Sequence, residues 1–446
     1  MRISQLRQRL HDLGAKPCHE DRLLRGWLQA GSRSGSISQV KQGGDEKATQ
    51  AVQVARQGAS KKANAVSPMK WNWNYDRKHS PAATFFPQAM RDALPGIEAE
   101  LQSLATVQSV HPVTLSPSLS RRPSPQSSPA SGRGGKRENP SINLAGVGED
   151  AALRASYNDD EVARLLVRLH DGQMVESVLL PRGGLCVSTQ VGCAVGCTFC
   201  MSGRNGLLRQ MGSAEIVAQV VLARQRRAVS KVVFMGMGEP AHNLDNVLEA
   251  IAVLGTQGNI GHKNLVLSTV GDLRVFERLM NSATPLPNPL PLRGEGTNAA
   301  SGWLANPPVR PALALSLHTT DDALRAQLLP QAPRIPVAEL VERAEAYARA
   351  TAYPVQYQWT LIEGVNDSDA ELARIAQLLA GKYAIMNFIP FNAVDGLSYR
   401  RPSPERIALM AHTLHRQGIL VRIRDSAGQE IEGACGQLRA RAVQAR

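Results

Sequence analysis

From residue 185 to residue 423 the chain repeats one phrase, a short apolar run followed by an amphipathic helical stretch. The runs are 185–190 (LCVSTQ), 231–236 (KVVFMG), 264–268 (NLVLS), 312–317 (ALALSL), 355–361 (VQYQWTL), 384–389 (AIMNFI) and 419–423 (ILVRI). Each is strand length, and helices are predicted between them, among them 213–226 opened by Ser213, 337–350, and 403–417 opened by Ser403. Parallel strands cannot be joined by tight hairpins, so helical crossovers between strands predict a parallel α/β sheet or an incomplete TIM-like barrel of (β/α)6 type.

Ligands of such folds bind at the carboxyl ends of the strands. The polar residues of this chain collect there. Cys193, Cys197 and Cys200 follow the first run as CxxxCxxC, Gly236-Met237-Gly238-Glu239-Pro240 follows the second, and Ser268-Thr269 closes the third. Ser316, Leu317 and His318 end the fourth and Asn392 follows the sixth. Three close thiolates can hold three irons of a [4Fe-4S] cluster and leave one iron open for a small molecule. They could also hold zinc with a fourth ligand from elsewhere, although no CxxC or HxxxH partner pair lies downstream. Cys186 and Cys435, taken alone, read as small buried apolar residues, and Cys18 stands apart from every motif.

Upstream of the repeat, ARLLVRLH and QMVESVLLP flank Asp171-Gly172, a hairpin signal with Glu176 on its second strand. The segmentation predicted is a helical head over 1–30, a flexible linker over 31–85, a helical segment over 86–112 and a Ser/Pro/Arg-rich linker over 113–155. A catalytic domain then spans 160–440 and carries a Pro/Gly-rich loop insertion at 284–311. In the head, Leu6, Leu10, Leu13, Leu23, Leu24, Trp27 and Leu28 recur at helical spacing.

No apolar run is long enough to span a membrane and the first residues form no secretion signal, so a cytoplasmic protein without membrane partners is expected. Few cysteines, clustered in the main rather than spread, fit a reducing compartment. The formal net charge of +13 points to an anionic partner such as nucleic acid, unless it lies on solvated segments.

The pieces LCVSTQVGCAVGCTFC, VVFMGMGEP, LALSLH, GVND, NFIPFN and ACGQL, in this order and with the head LRQRLHDLGAKP, resemble the RlmN/Cfr group of radical S-adenosylmethionine RNA methyltransferases. The resemblance covers roughly 1–30 and 160–440. It implies that Cys193, Cys197 and Cys200 bind one [4Fe-4S] cluster and that S-adenosylmethionine completes the fourth iron. Gly238, Glu239, Ser268, Ser316, Leu317, His318 and Asn392 would then contact S-adenosylmethionine.

The family's target, adenine C2, is electron-poor and cannot attack a sulfonium methyl. The resemblance therefore implies a methyl carried on Cys435, a radical made on that methyl group, and addition to the base. Release implies a transient disulfide between Cys435 and Cys186, with Glu176 accepting the ring proton. The implied substrate is an adenosine of structured RNA, rRNA or tRNA, with electrons from a donor such as a flavodoxin system, and a monomeric enzyme is expected. Methylation at C8 is the alternative within the group, and an RNA-binding protein that keeps the cluster but not turnover is the alternative outside it. The chain departs from the family where RDSAGQEIEGACGQL replaces the usual Arg-Gly, Asp-Ile and Ala-Ala-Cys run.

Overall fold

The apolar runs become strands and the stretches between them helices. The computed structural model describes residues 1–30, 85–113, 162–283, 309–392 and 396–424. The linker at 31–84, the Ser/Pro/Arg-rich stretch, nearly all of the 284–311 insertion and Cys435 lie outside the described residues.

In chain order the elements begin with helices α1 (Ile3–Asp12), α2 (Pro17–Gln29) and α3 (Gln88–Ser103). Strands β1 (Ala105–Val113), β2 (Val162–Leu169), β3 (Met174–Leu180), β4 (Gly184–Cys186), β5 (Gln190–Gly192) and β6 (Leu207–Gln210) follow. Then come α4 (Ser213–Arg224), β7 (Lys231–Phe234), α5 (Leu244–Thr256), β8 (Leu265–Thr269), α6 (Leu273–Ala283) and β9 (Ala312–Ser316). The last are α7 (Asp322–Leu328), α8 (Val337–Thr351), β10 (Val355–Leu361), α9 (Asp369–Leu379), β11 (Ala384–Pro390), α10 (Pro404–Arg416) and β12 (Leu420–Ile423).

Among the described residues one ten-stranded sheet runs β1-β2-β3-β4-β7-β8-β9-β10-β11-β12, and β5 pairs with β6 separately. From β4 to β12 every neighbour is parallel. Six strand–helix units closed by a last strand are thus an open α/β sheet of the expected kind. Along β10 the side chains alternate: Tyr357 and Trp359 pack into the main apolar core, while Gln356 and Gln358 face the other side. That inner face is lined at its lower level by Cys186, Val233, Val266 and Ala312, which the strand register sets side by side.

Two expectations are corrected. Residues 86–112 are not helical throughout: α3 ends at Ser103, and Ala105–Val113 is a strand antiparallel to β2. Its run ATVQSVHPV is rich in β-branched residues, and Pro112 could not donate within a helix. The hairpin extension therefore has three strands. Ser213 does not cap α4, because Gly212 is the N-cap and the Ser213 hydroxyl instead accepts from the Ile3 amide at 2.7 Å. Ser403 does cap α10, accepting from the Arg406 amide at 3.1 Å.

The same contact seats the N-terminal helices. Ser4 N donates to Glu249 at 2.6 Å and Ala214 N to the Met1 carbonyl at 3.3 Å. Leu6, Leu10, Leu23, Leu24, Trp27 and Leu28 are buried in the main core, whereas Leu13 is half-buried at its edge.

Candidate active site

A loop tight enough to gather three thiols needs backbone that only glycine adopts freely. Gly192 and Gly196 have φ of +85° and +65°, and a Cβ on Gly192 would run into the Gly206 carbonyl. A Cβ on Gly203 would lie 2.9 Å from the Gly196 Cα, so the loop folds back on itself. The Cys193 amide donates to the Gly206 carbonyl at 3.1 Å and the Cys200 amide to the Cys197 carbonyl at 3.0 Å. Cys193 is buried, and Cys197 and Cys200 are half-buried. Burial pushes the Cys193 thiol up to about 12 and the Cys197 thiol well above its usual range, with each thiolate further opposed by Cys200 and by the charge of Glu239. Without a metal ion these thiols stay protonated. Among the described residues, no three His, Cys, Asp or Glu side chains gather in the way a single metal ion requires.

The turn after β7 stands against this loop. Gly238 has φ +105°, and a Cβ there would lie 2.7 Å from the Gln190 side chain. The Met237 carbonyl accepts from the Thr189 and Gln190 amides at 2.8 and 3.2 Å, fixing the turn to the strand that leads into the cysteines. Glu239 is buried, and its carboxyl accepts from Thr269 Oγ1 at 2.6 Å, Ala241 N at 3.0 Å and Val270 N at 3.0 Å. Burial nevertheless raises its pKa to about 7, with Asp272 adding to the rise.

Ser268 is buried at the end of β8, and Ser316 is half-buried at the end of β9 opposite Gln358. Leu317 lies in the core, its amide bound to the Gln358 carbonyl at 3.1 Å. His318 is buried at φ +65°, a backbone state that residues other than glycine seldom adopt. Three hydrogen bonds of Asn366 hold that corner: Nδ2 donates to the His318 and Thr360 carbonyls at 2.7 Å each, and Oδ1 accepts from Ile362 N at 2.8 Å. His318 Nδ1 accepts from Thr360 N at 3.0 Å, which leaves Nε2 as the protonated nitrogen of a neutral ring. Burial and the nearby Arg325 charge depress its pKa to about 3. The ring packs on Phe199, inside the cysteine motif, at 4.7 Å between centroids. Asn392 follows β11 and is half-buried.

Glu176 and Cys186 share one face of the adjacent strands β3 and β4. Val178 pairs with Cys186 across the β3–β4 ladder, which puts Glu176, two residues away on the same face, within reach of the thiol. Both are buried, and burial together with the Glu176 charge raises the Cys186 thiol to about 12. Cys435 lies outside the described residues.

Two contributors escaped the sequence reading. Asn366 sat in a recognisable piece, GVND, yet nothing in the string ties it to His318. Arg325 gave no signal at all, being one arginine of a short helix. It is buried, and its guanidinium donates through Nη2 to the Val270 carbonyl and, at 3.4 Å, to the Ser316 carbonyl.

Residues 187–286 match the radical SAM superfamily. A "Probable RNA methyltransferase" of Aromatoleum aromaticum is 51% identical over 443 residues, covering 99% of this chain and 93% of that one. Another of the same description, from Leptothrix cholodnii, is 52% identical over 441 residues, with 99% and 95% covered. A crystal structure of a radical SAM methyltransferase from Sphaerobacter thermophilus is 36% identical, covers 63% of this chain and 78% of that chain, and superposes with a TM-score of 0.54.

Proposed function

The chain belongs to the radical SAM RNA methyltransferases, and from that premise we propose that it methylates an adenosine at C2 in rRNA or tRNA through a methyl carried on Cys435. The observation that carries this reading is the meeting of the cysteine loop, the Glu239 turn and His318 at the strand ends, with Glu176 beside Cys186 on the same sheet. The donor set fits a cluster: three soft thiols on one glycine-shaped loop can each take a different iron. Cys193, Cys197 and Cys200 would hold it, and with S-adenosylmethionine it would supply one-electron chemistry.

The chain's own residues do the rest. Gly238, Glu239, Ser268, Ser316, Leu317, His318 and Asn392 line the S-adenosylmethionine site, and the neutral His318 offers a hydrogen-bond donor there without adding charge. Cys186 rests as a protonated thiol. Glu176 takes the adenine ring proton, and Cys186 attacks the Cys435 sulfur of the thioether, so that a Cys186–Cys435 disulfide forms as the sulfur–carbon bond breaks and the Cys186 proton passes to the released carbon. The electron donor is a small reduced carrier of the flavodoxin kind, and the enzyme acts as a monomer.

Nucleoside digests after anaerobic incubation of the reconstituted full chain with S-adenosylmethionine, a strong reductant and rRNA or tRNA test the reading. We expect 2-methyladenosine, lost completely in Cys435→Ala. Appearance of 8-methyladenosine would move the chemistry to the other ring carbon, and no methylated adenosine in either RNA would overturn the proposal.

A further inference from the structure

A buried cation is costly unless an anion accompanies it, since desolvation takes several kcal/mol that neutral carbonyls return only in part. Arg325 is such a cation: the residue is 4% exposed, and both groups it donates to are uncharged backbone carbonyls. Among the described residues no carboxylate forms an ion pair with it, and its Nε is buried with no hydrogen-bond partner. Asp322, the acid nearest in sequence, spends its Oδ1 on the Val337 amide at 2.8 Å. The Val270 peptide stands between Arg325 and Glu239, giving its carbonyl to one and its amide to the other.

The helix that carries Arg325 is fastened to the cysteine loop. Thr198 N donates to the Leu328 carbonyl at 3.0 Å and Gln331 N to the Val195 carbonyl at 3.2 Å. Leu328 and Leu329 share one apolar cluster with Cys193, Cys197 and Phe199. Besides Asp322, the acidic groups whose charge reaches the guanidinium are Cys197 and Glu239. The helix thus holds the buried Arg325 charge, which no carboxylate among the described residues pairs, against the cysteine motif.

We propose that Arg325 is the fixed counter-charge of the iron-sulfur cluster, a positioning residue that holds the cysteine loop for the metal and makes the cluster easier to reduce. This rests on the reading that Cys193, Cys197 and Cys200 bind a cluster. Thiolates give a bound cluster net negative charge, and one added electron deepens it. A neighbouring cation stabilises the reduced form more than the oxidised one and so raises the potential.

The test uses the anaerobically reconstituted full chain as wild type, Arg325→Lys and Arg325→Gln, with iron and sulfide analysis, thermal melts with and without cluster, and a redox titration followed by electron paramagnetic resonance. Loss of one unit charge from a partly dry site should lower the reduced-to-oxidised ratio at fixed potential about tenfold in R325Q, about 59 mV for a one-electron couple. R325K should stay near wild type. The gain in Tm on reconstitution should also shrink in R325Q and not in R325K.

If R325Q keeps its cluster at the wild-type potential and with the wild-type gain in Tm, the proposal is wrong. It is equally wrong if R325K and R325Q lose the cluster alike, since shape rather than charge would then matter. A wild-type chain that takes up no iron and sulfide would instead sink the underlying assignment of the cysteines.

Discussion

His318 is held in a left-handed corner that costs roughly 1–3 kcal/mol for a residue with a side chain, and Asn366 is what keeps it there. Its burial leaves a pH signature. The folded imidazole takes a proton only near pH 3, whereas the unfolded one does so near 6.5. The unfolded state therefore binds more protons through that window, so this contribution to stability is complete above pH 6.5 and drains away as pH falls toward 3. Glu239 has the opposite slope, because its folded pKa of about 7 exceeds the ordinary 4.5 and stability falls as pH rises between them. Denaturant unfolding of the cluster-free chain at pH 5 and pH 7 should show His318→Asn losing less on acidification than wild type, since Asn tolerates the corner and does not titrate. An unchanged difference between the two pH values would refute the assignment.

The cysteine loop hangs between the two short strands β5 and β6, so its shape depends on Gly192 and Gly206 fitting back to back. Gly192→Ala places a methyl against the Gly206 carbonyl at a φ that disfavours it. We expect a loss of roughly 1–3 kcal/mol in unfolding free energy. Iron uptake should fall with it, and a variant that loads iron normally would show that the loop can form without this close approach. The sequence signals at this scale were of unequal worth. CxxxCxxC and GMGEP could be placed because both follow apolar runs of strand length. Ala105–Val113 reads as helix in sequence because it follows directly on an amphipathic helix, and it becomes a strand through its pairing with β2, which begins 49 residues beyond its end.

On the scale of the molecule, the positive balance of +13 sets how the chain meets a polyanion. Each lysine or arginine that neutralises a phosphate releases a counterion, so the logarithm of the RNA association constant should fall linearly with the logarithm of salt concentration. Fluorescence anisotropy with a labelled rRNA or tRNA fragment between about 50 and 200 mM salt checks this, with a drop of about 10³-fold or more for six or more phosphate contacts. A flat response would place the positive charge away from the bound RNA. Among the described residues no helix is long and apolar enough to cross a membrane. The first residues of the chain contribute to the same body, since Met1, Ile3 and Ser4 bond to the helices behind β7 and β8.

The string of residues by itself determined the alternation of strand and helix, the cysteine motif and the polar ends of the strands, because periodicity and spacing act over a few neighbours. It could not determine which distant groups share a dry volume. That Asn366 steadies His318, that Glu176 and Cys186 share one face of adjacent strands, and that Arg325 is buried on a helix bonded to the cysteine loop were decided only by the assembled sheet. The energy of a buried charge depends on everything that excludes water from it, and water is excluded by the assembled fold rather than by adjacent residues.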